Sequence, residues 1–154
     1  MPQTSPVLIK PFDAMSLREL HAVFKLRGEV FVVGQQICAV PDVDEYDPLC
    51  HHALLWVGDE LAGTARLLPK DAGQTIKVGR VAVGKPWRGC GMGVTLMRGV
   101  QAWIGTEPGR VGVMSAQAYL ERWYIALGWT TVGAVYEEAG IDHVEMRWGE
   151  AGAE

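Results

Sequence analysis

The segment that most constrains this chain is Val78-Gly79-Arg80-Val81-Ala82-Val83, followed by Arg88-Gly89-Cys90-Gly91-Met92-Gly93. The first run has strand character. The second is a glycine-rich turn placed at the head of an apolar, helix-period segment. The first amides of a helix have no intrahelical acceptor. Their dipoles align, so a turn of this kind can gather several N–H groups on an anion. Glycines at alternate positions keep side chains out of the way and permit positive φ. A strand–turn–helix of this type needs a further strand to complete a βαβ unit. Val111 to Ser115, after Pro108-Gly109, supplies it.

The rest of the chain fits around that unit. Val7 to Phe12 reads as a first strand. Ser16 opens a helix with Glu19 as capping-box partner, and Leu17, Leu20, Phe24 and Phe31 recur at helical spacing. Residues 35–51 are an irregular, acidic loop. His52 to Val57, Glu60 to Leu68 and Thr75 to Val83 form three consecutive strands, the first two joined at Gly58-Asp59. A helix runs from Gly91 to about Thr106, and another over Ala118 to Leu127 with Gly128 as its C-cap. Thr131 to Tyr136 and His143 to Trp148 are the last two strands, joined by a turn over Glu137 to Asp142. The class is α/β, with a mixed, mostly antiparallel central sheet, flanking helices and one βαβ unit. At 154 residues with 49% apolar content, the chain is expected to be a single domain over 1–154.

Charge narrows the ligand. The net charge is -4, which argues against a nucleic-acid partner. Yet seven basic residues lie between Leu61 and Val100, namely Arg66, Lys70, Lys77, Arg80, Lys85, Arg88 and Arg98, with Asp71 as the only acid. That asymmetry predicts a positive potential around the glycine turn. Asp42, Asp44, Glu45 and Asp47 give the preceding loop the opposite sign. No run approaches ~18 apolar residues, so no membrane span is expected. Cys38, Cys50 and Cys90 form no CxxC pair, which fits a reducing, cytoplasmic setting. His51 and His52 adjoin and would face opposite sides of a strand, so no metal is assigned.

Dinucleotide binding asks for G-x-G-x-x-G, and Gly89, Gly91 and Gly93 leave the second gap one residue short. A P-loop requires Gly-Lys-Ser/Thr, which is missing. The pattern that remains is a basic side chain, two residues, glycine, one residue, glycine: Arg88, Gly91, Gly93. With the element order and Tyr124 in the penultimate connection, the chain resembles the GNAT superfamily of acyl-CoA dependent N-acyltransferases from about residue 8 to 148. It is more closely similar to the small bacterial ElaA-like branch, through Leu26-Arg27, Val30 to Val33 with Gln35, Asp42 to Asp47, Gly79-Arg80-Val81, Ala116-Gln117 and Gly140 to Met146. It departs from that branch at Gly34, where Glu is usual, and at Asp142, where proline is usual.

The resemblance implies an acetyl-CoA dependent N-acetyltransferase acting on a primary amine, with acetyl-CoA as cosubstrate and no tightly bound cofactor. Main-chain amides of Gly89, Cys90, Gly91, Met92 and Gly93 would hold the pyrophosphate, with Arg88 at its edge. Val81, Ala82 and Val83 would bind the pantetheine arm. Gln117 and Tyr119 fall on the coenzyme side, Tyr119 near the adenine. Tyr124 would act as general acid toward the leaving thiolate. The base is open among Glu45, His52 and His143, with a water chain as the alternative. Phe31, Val33, Gln35 and Asp44 would line the acceptor side, where the acidic loop favours a cationic amine. An acyl-CoA binding or regulatory module without turnover is the alternative function. Six tryptophans are many for this length; most are expected to pack in the core or at its edge, and some could cover an apolar homodimer face.

Overall fold

The computed structural model describes residues 5–37 and 40–149; Cys38 lies outside them. Seven strands form one sheet: β1 (Leu8–Pro11), β2 (His51–Val57), β3 (Glu60–Lys70), β4 (Thr75–Val83), β5 (Val111–Gln117), β6 (Thr130–Glu138) and β7 (Ile141–Trp148). Their spatial order is β1-β2-β3-β4-β5-β7-β6. Only β4 and β5 are parallel, and every other neighbouring pair is antiparallel. The expected mixed sheet with one βαβ unit is therefore present, its crossover being α2 (Met92–Ile104).

The sheet is packed on both faces. Ala53, Leu55, Ile76, Val78, Met114 and Val144 meet Leu96, Val100 and Ile104 of α2 in one core cluster. Leu54, Leu61 and Ala82 meet Val23, Leu26 and Val30 in the other, under α1 (Leu17–Arg27). Each fully buried Val, Leu, Ile or Met among them contributes about 1.5–3 kcal/mol. His51 and His52 separate across β2 as the period of two requires. His51 meets Trp103 in a tilted ring contact at 4.9 Å, while His52 faces Phe12 at 6.1 Å.

Local signals explain the helix ends. Ser16 Oγ accepts from the Glu19 amide at 3.1 Å, and the Ser16 amide donates to Glu19 Oε1 at 2.8 Å, closing the capping box. Gly128, at φ +105°, terminates the short helix α3 (Glu121–Ala126). Beyond Arg27, however, the first helix changes form. Gly28–Gly34 is a π-helical turn, in which the Gln35 amide reaches back to Val30 O at 2.9 Å. The helical spacing that carried Phe31 into one continuous α-helix does not register this widening. The last hairpin is also tighter than expected. Glu138 pairs with Ile141, and Ala139 and Gly140 turn the chain with φ of 52° and 77°, the double positive φ of a two-residue hairpin loop.

Candidate active site

The parallel pairing of β4 and β5 stops early. It runs from Thr75–Val111 to Val78–Met114 and goes no further. Past that point β4 stays bonded to β3, and β5 to β7. The facing edges of Gly79–Val83 and Ser115–Gln117 are thus left unpaired with each other. Backbone amides and carbonyls on an open edge can take an extended ligand as a strand would.

A bulge sets how β4 presents itself there. Thr64 pairs with Ala82 but Arg66 pairs with Gly79, so Ala65 alone spans Arg80 and Val81. Arg80 sits at φ +48°. Ile76 and Val78 face the α2 side before the bulge, and Val81 and Val83 face it afterwards. The even-to-odd change shows that the extra residue inverts the alternation.

β4 then delivers the glycine turn. Gly89 and Gly91 adopt φ of 75° and 85°, and Gly91 is the left-handed N-cap of α2. The first intrahelical bond is Thr95 N to Gly91 O at 3.0 Å, which leaves the amides before Thr95 without an α-helical acceptor. Arg88 Nε donates to Val83 O at 3.0 Å, tying the turn to the strand end. Gly93 has a different reason to be glycine. A Cβ there would stand 3.0 Å from Trp123 Cζ2 and 3.7 Å from Val83 Cγ2. The missing side chain lets α3 approach the turn.

Tyr124 follows directly. It is 4% exposed and shares its core cluster with Met92 and Ala116, with Val81 and Val83 packed against the same cluster. Trp123 and Trp129 meet its ring edge-on at 4.9 and 6.3 Å. Its hydroxyl has no hydrogen-bond partner among the described residues. Burial, and then the Tyr119 phenol nearby, push its pKa upward, so the phenol stays protonated at neutral pH. Gln101 braces this corner. Its Nε2 donates to Leu127 O at 3.0 Å, and its Oε1 accepts from Trp129 Nε1 at 2.9 Å. The signal for Gln101 was available in the sequence, because Met97, Gln101 and Ile104 lie at i, i+4 and i+7 on the buried stripe of α2.

The acidic loop is not the free negative surface its composition implied. Asp42, Asp44 and Asp47 are bound by three arginines. Arg27, 1% exposed, reaches Asp47 Oδ1 at 2.7 Å and Asp42 Oδ2 at 3.1 Å. Arg66 reaches Asp44 Oδ1 at 2.7 Å, and Arg80 reaches Asp42 Oδ1 at 3.1 Å and Asp44 Oδ2 at 3.3 Å. Burial works to raise the Asp47 carboxyl. The Arg27 hydrogen bond, the Asp44 amide and the charges of Arg27 and Arg66 outweigh it and hold the group below the usual carboxylate value. Two of the seven basic residues counted toward the glycine turn, Arg66 and Arg80, are therefore spent on this network. Of the loop's acids only Glu45, which is exposed, makes no hydrogen bond or ion pair among the described residues. Nothing local in the sequence announces these pairings, whose partners lie up to 38 residues apart.

The remaining candidates fall in two places. His52 is 0% exposed. Its Nε2 lies 3.0 Å from Asp47 O, and its Nδ1 is buried without a partner among the described residues. Burial pushes its pKa down, with Asp47 partly opposing. His143, Gln117 and Gln35 gather instead beside the open end of β5. Gln117 pairs in register with His143 and exchanges two side-chain bonds with Gln35, at 3.2 and 3.0 Å. His143 Nδ1 is 2.7 Å from Ile141 O, and Tyr136 stacks on its ring at 6.2 Å. Phe31 and Val33 lie on the π-turn, Val33 exposed. That turn's Val30 and Gly34 share a groove of about 600 Å³ with Lys85 and Arg88. Tyr119 is 73% exposed at the β5–α3 junction. Among the described residues, no group of three or more His, Cys, Asp or Glu could hold a metal ion, and no helix is long and apolar enough to cross a membrane.

Comparison with known proteins gives a consistent answer. A family model described as an acetyltransferase (GNAT) domain matches residues 44–149. A UPF0039 protein of Schizosaccharomyces pombe is 38% identical over 143 residues, covering 90% of this chain and 93% of the relative. The crystal structure of Escherichia coli ElaA superposes with a TM-score of 0.85 at 32% identity, covering 96% of this chain and 100% of that one. An acyl-CoA N-acyltransferase from Pseudomonas aeruginosa superposes with a TM-score of 0.82 at 34% identity, covering 93% and 99%.

Proposed function

The chain belongs to the GNAT acetyltransferase family, close to the ElaA branch, and is an acetyl-CoA dependent acyltransferase; on that premise we propose that its acceptor is a primary amine, acetylated by direct attack with Tyr124 as general acid. The observation that supports this reading is the opening between β4 and β5, with the glycine turn following β4 at the head of α2 and Tyr124 in the same core cluster as Val81, Val83 and Ala116.

Acetyl-CoA would lie in the opening, its pantetheine bonded to the main chain of Val81, Ala82 and Val83. Its pyrophosphate would sit on the amides from Gly89 to Gly93, where the head of α2 supplies unpaired donors and a favourable dipole. Arg88 adds a positive charge beside them. The amine nitrogen attacks the thioester carbonyl carbon, the C–N bond forms, and the C–S bond breaks as the tetrahedral intermediate collapses. The departing sulfur takes the Tyr124 hydroxyl proton. Because burial makes Tyr124 a weak acid, it delivers that proton only as negative charge develops on sulfur, a donor aimed at the transition state rather than the ground state.

The proton lost by the amine could go to Glu45, His52, His143 or a water chain, and of these we favour His143. Its Nδ1 faces a carbonyl oxygen, which can only accept. Nδ1 therefore carries the proton, and Nε2 presents the lone pair. His52 has both ring nitrogens inside the fold, and Glu45 lies on the exposed loop. Gln35, at the end of the π-turn, would border the acceptor side.

Release of free coenzyme A thiol from acetyl-CoA across a panel of small amines, amino sugars and lysine peptides tests the proposal. Turnover with at least one primary amine is expected. Tight acetyl-CoA binding with no thiol release from any amine would instead favour a binding or regulatory module.

A further inference from the structure

Arg80 stands at the one point in β4 where the alternation inverts, and it does so at a φ of +48°. A non-glycine residue there costs about 1–3 kcal/mol unless its surroundings hold it. The surroundings are specific. Arg80 Nε lies 3.1 Å from Asp42 Oδ1 and 3.2 Å from Asp42 O. Its Nη2 lies 3.1 Å from Asp42 O and 3.3 Å from Asp44 Oδ2. Asp42 is itself held by Arg27, and Asp44 by Arg66, so the grip on Arg80 is anchored in the buried core of the network. Without the bulge, β4 beyond Gly79 would shift by one residue. Val81 and Val83 would turn to the opposite face, and the N–H and C=O groups aimed at the opening would be exchanged for those now bonded to β3.

We propose that Asp42 and Asp44 are positioning residues for acyl-CoA: by gripping Arg80 they hold the β4 bulge that turns the Val81–Val83 main chain toward the opening. The acidic loop thus serves the coenzyme through a strand on the other side of its arginines, rather than the amine through its own charge. This rests on the reading that acetyl-CoA binds along Val81–Val83.

The test separates the conformation of residue 80 from its charge. Arg80→Ala removes the grip and keeps a Cβ at positive φ, whereas Arg80→Gly removes the grip but takes that φ without strain. Acetyl-CoA titration calorimetry should show Arg80→Ala weakened about tenfold and Arg80→Gly within about threefold of the parent. Asp44→Asn should weaken binding, and Asp44→Asn with Arg80→Gly should recover it. Hydrogen exchange in the ligand-free protein, read at the Gly63–Val83 and Thr64–Ala82 ladder pairs, should rise in Arg80→Ala and Asp44→Asn and return to parental in the glycine variants. Equal binding and exchange in parent and Arg80→Ala overturns the inference. Equal loss in Arg80→Ala and Arg80→Gly also overturns it, because the guanidinium would then act by its charge. If the parent protein binds no acetyl-CoA, the functional reading falls, and the exchange pattern alone still decides whether the acids hold the bulge.

Discussion

Gln35, at the end of the π-turn, and Gln117, at the open end of β5, exchange two side-chain hydrogen bonds of 3.2 and 3.0 Å across 82 residues of sequence. The motif resemblance sends one of them to the acceptor side and the other to the coenzyme side. Their pairing makes them a single bridge that fastens the π-turn to the β5 edge. Two amides paired in this way should be coupled by about 1 kcal/mol. Gln35→Leu and Gln117→Leu are therefore expected to lower thermal stability by similar amounts, with little further loss in the double variant. If Gln117→Leu alone weakens acetyl-CoA binding, the amide serves the coenzyme directly and the bridge is incidental.

Tyr124 carries the sharpest chemical expectation. Its hydroxyl has no partner to lose among the described residues, and its ring fills an edge-on position between Trp123 and Trp129. Tyr124→Phe keeps that packing and removes only the proton donor. It should lower kcat by about tenfold or more, within the range of general acid catalysis, and leave acetyl-CoA affinity and the melting temperature nearly unchanged. Parental turnover would make this tyrosine a packing residue and leave protonation of the thiolate to water.

Much of this arrangement was legible in the sequence because it is local. The capping box at Ser16 and Glu19, the Gly58-Asp59 hairpin and the helix-ending Gly128, one residue past the C-cap Leu127, are each set by residues within a few positions of one another. The strand–turn–helix of Val78 to Gly93 is local too, and it was enough to exclude dinucleotide and P-loop binding. What escaped was decided by tertiary contact. Asp42, Asp44 and Asp47 read as negative charge available to a cationic amine because sequence does not place Arg27, Arg66 and Arg80 beside them. Gly93 read as a φ-permissive turn residue, yet its need is space for Trp123. Gly28–Gly34 kept a helical apolar pattern while changing its hydrogen bonding, and periodicity is blind to that difference over a single turn.

The glycine turn separates into two physical requirements. Gly91 must reach φ +85°, and Gly93 must leave room for an indole 3.0 Å from where its Cβ would be. Gly91→Ala should strain the backbone by about 1–3 kcal/mol and weaken acetyl-CoA binding by disordering the amides. Gly93→Val should displace Trp123 and through it Tyr124, lowering turnover more than affinity. Calorimetry with acetyl-CoA alongside steady-state kinetics distinguishes the two. Identical profiles would mean that the turn acts as one unit.

Arg88 should matter by charge. Its guanidinium is tied to the turn through Nε to Val83 O, at the edge of a cluster of unpaired amides. Arg88→Glu places a negative group where a pyrophosphate is to bind, and acetyl-CoA affinity should fall by about tenfold or more, with part of the loss screened by salt. Unchanged affinity at low ionic strength would remove Arg88 from the site.

Stability should fall in mildly acidic solution, before the carboxylates titrate. His51 and His52 are both pushed below the ordinary histidine value of 6.5, first by burial, then for His51 by the Arg110 charge; for His52 the Asp47 carbonyl and charge pull back in part. The folded state therefore binds fewer protons than the unfolded chain as pH drops below 6.5. The stability these neutral rings confer is complete above that value and is lost as pH falls toward their folded pKa values. Asp47 acts in the same direction but further into acid, because its folded pKa lies below 3.8. The melting temperature should thus be level above about pH 7 and start to decline near 6.5, with a second loss below 3.8. His52→Gln retains a donor for Asp47 O but cannot ionise, so together with His51→Phe it should flatten the first decline and leave the second in place. A first decline that persists undiminished in the double variant would assign it to groups other than these two rings.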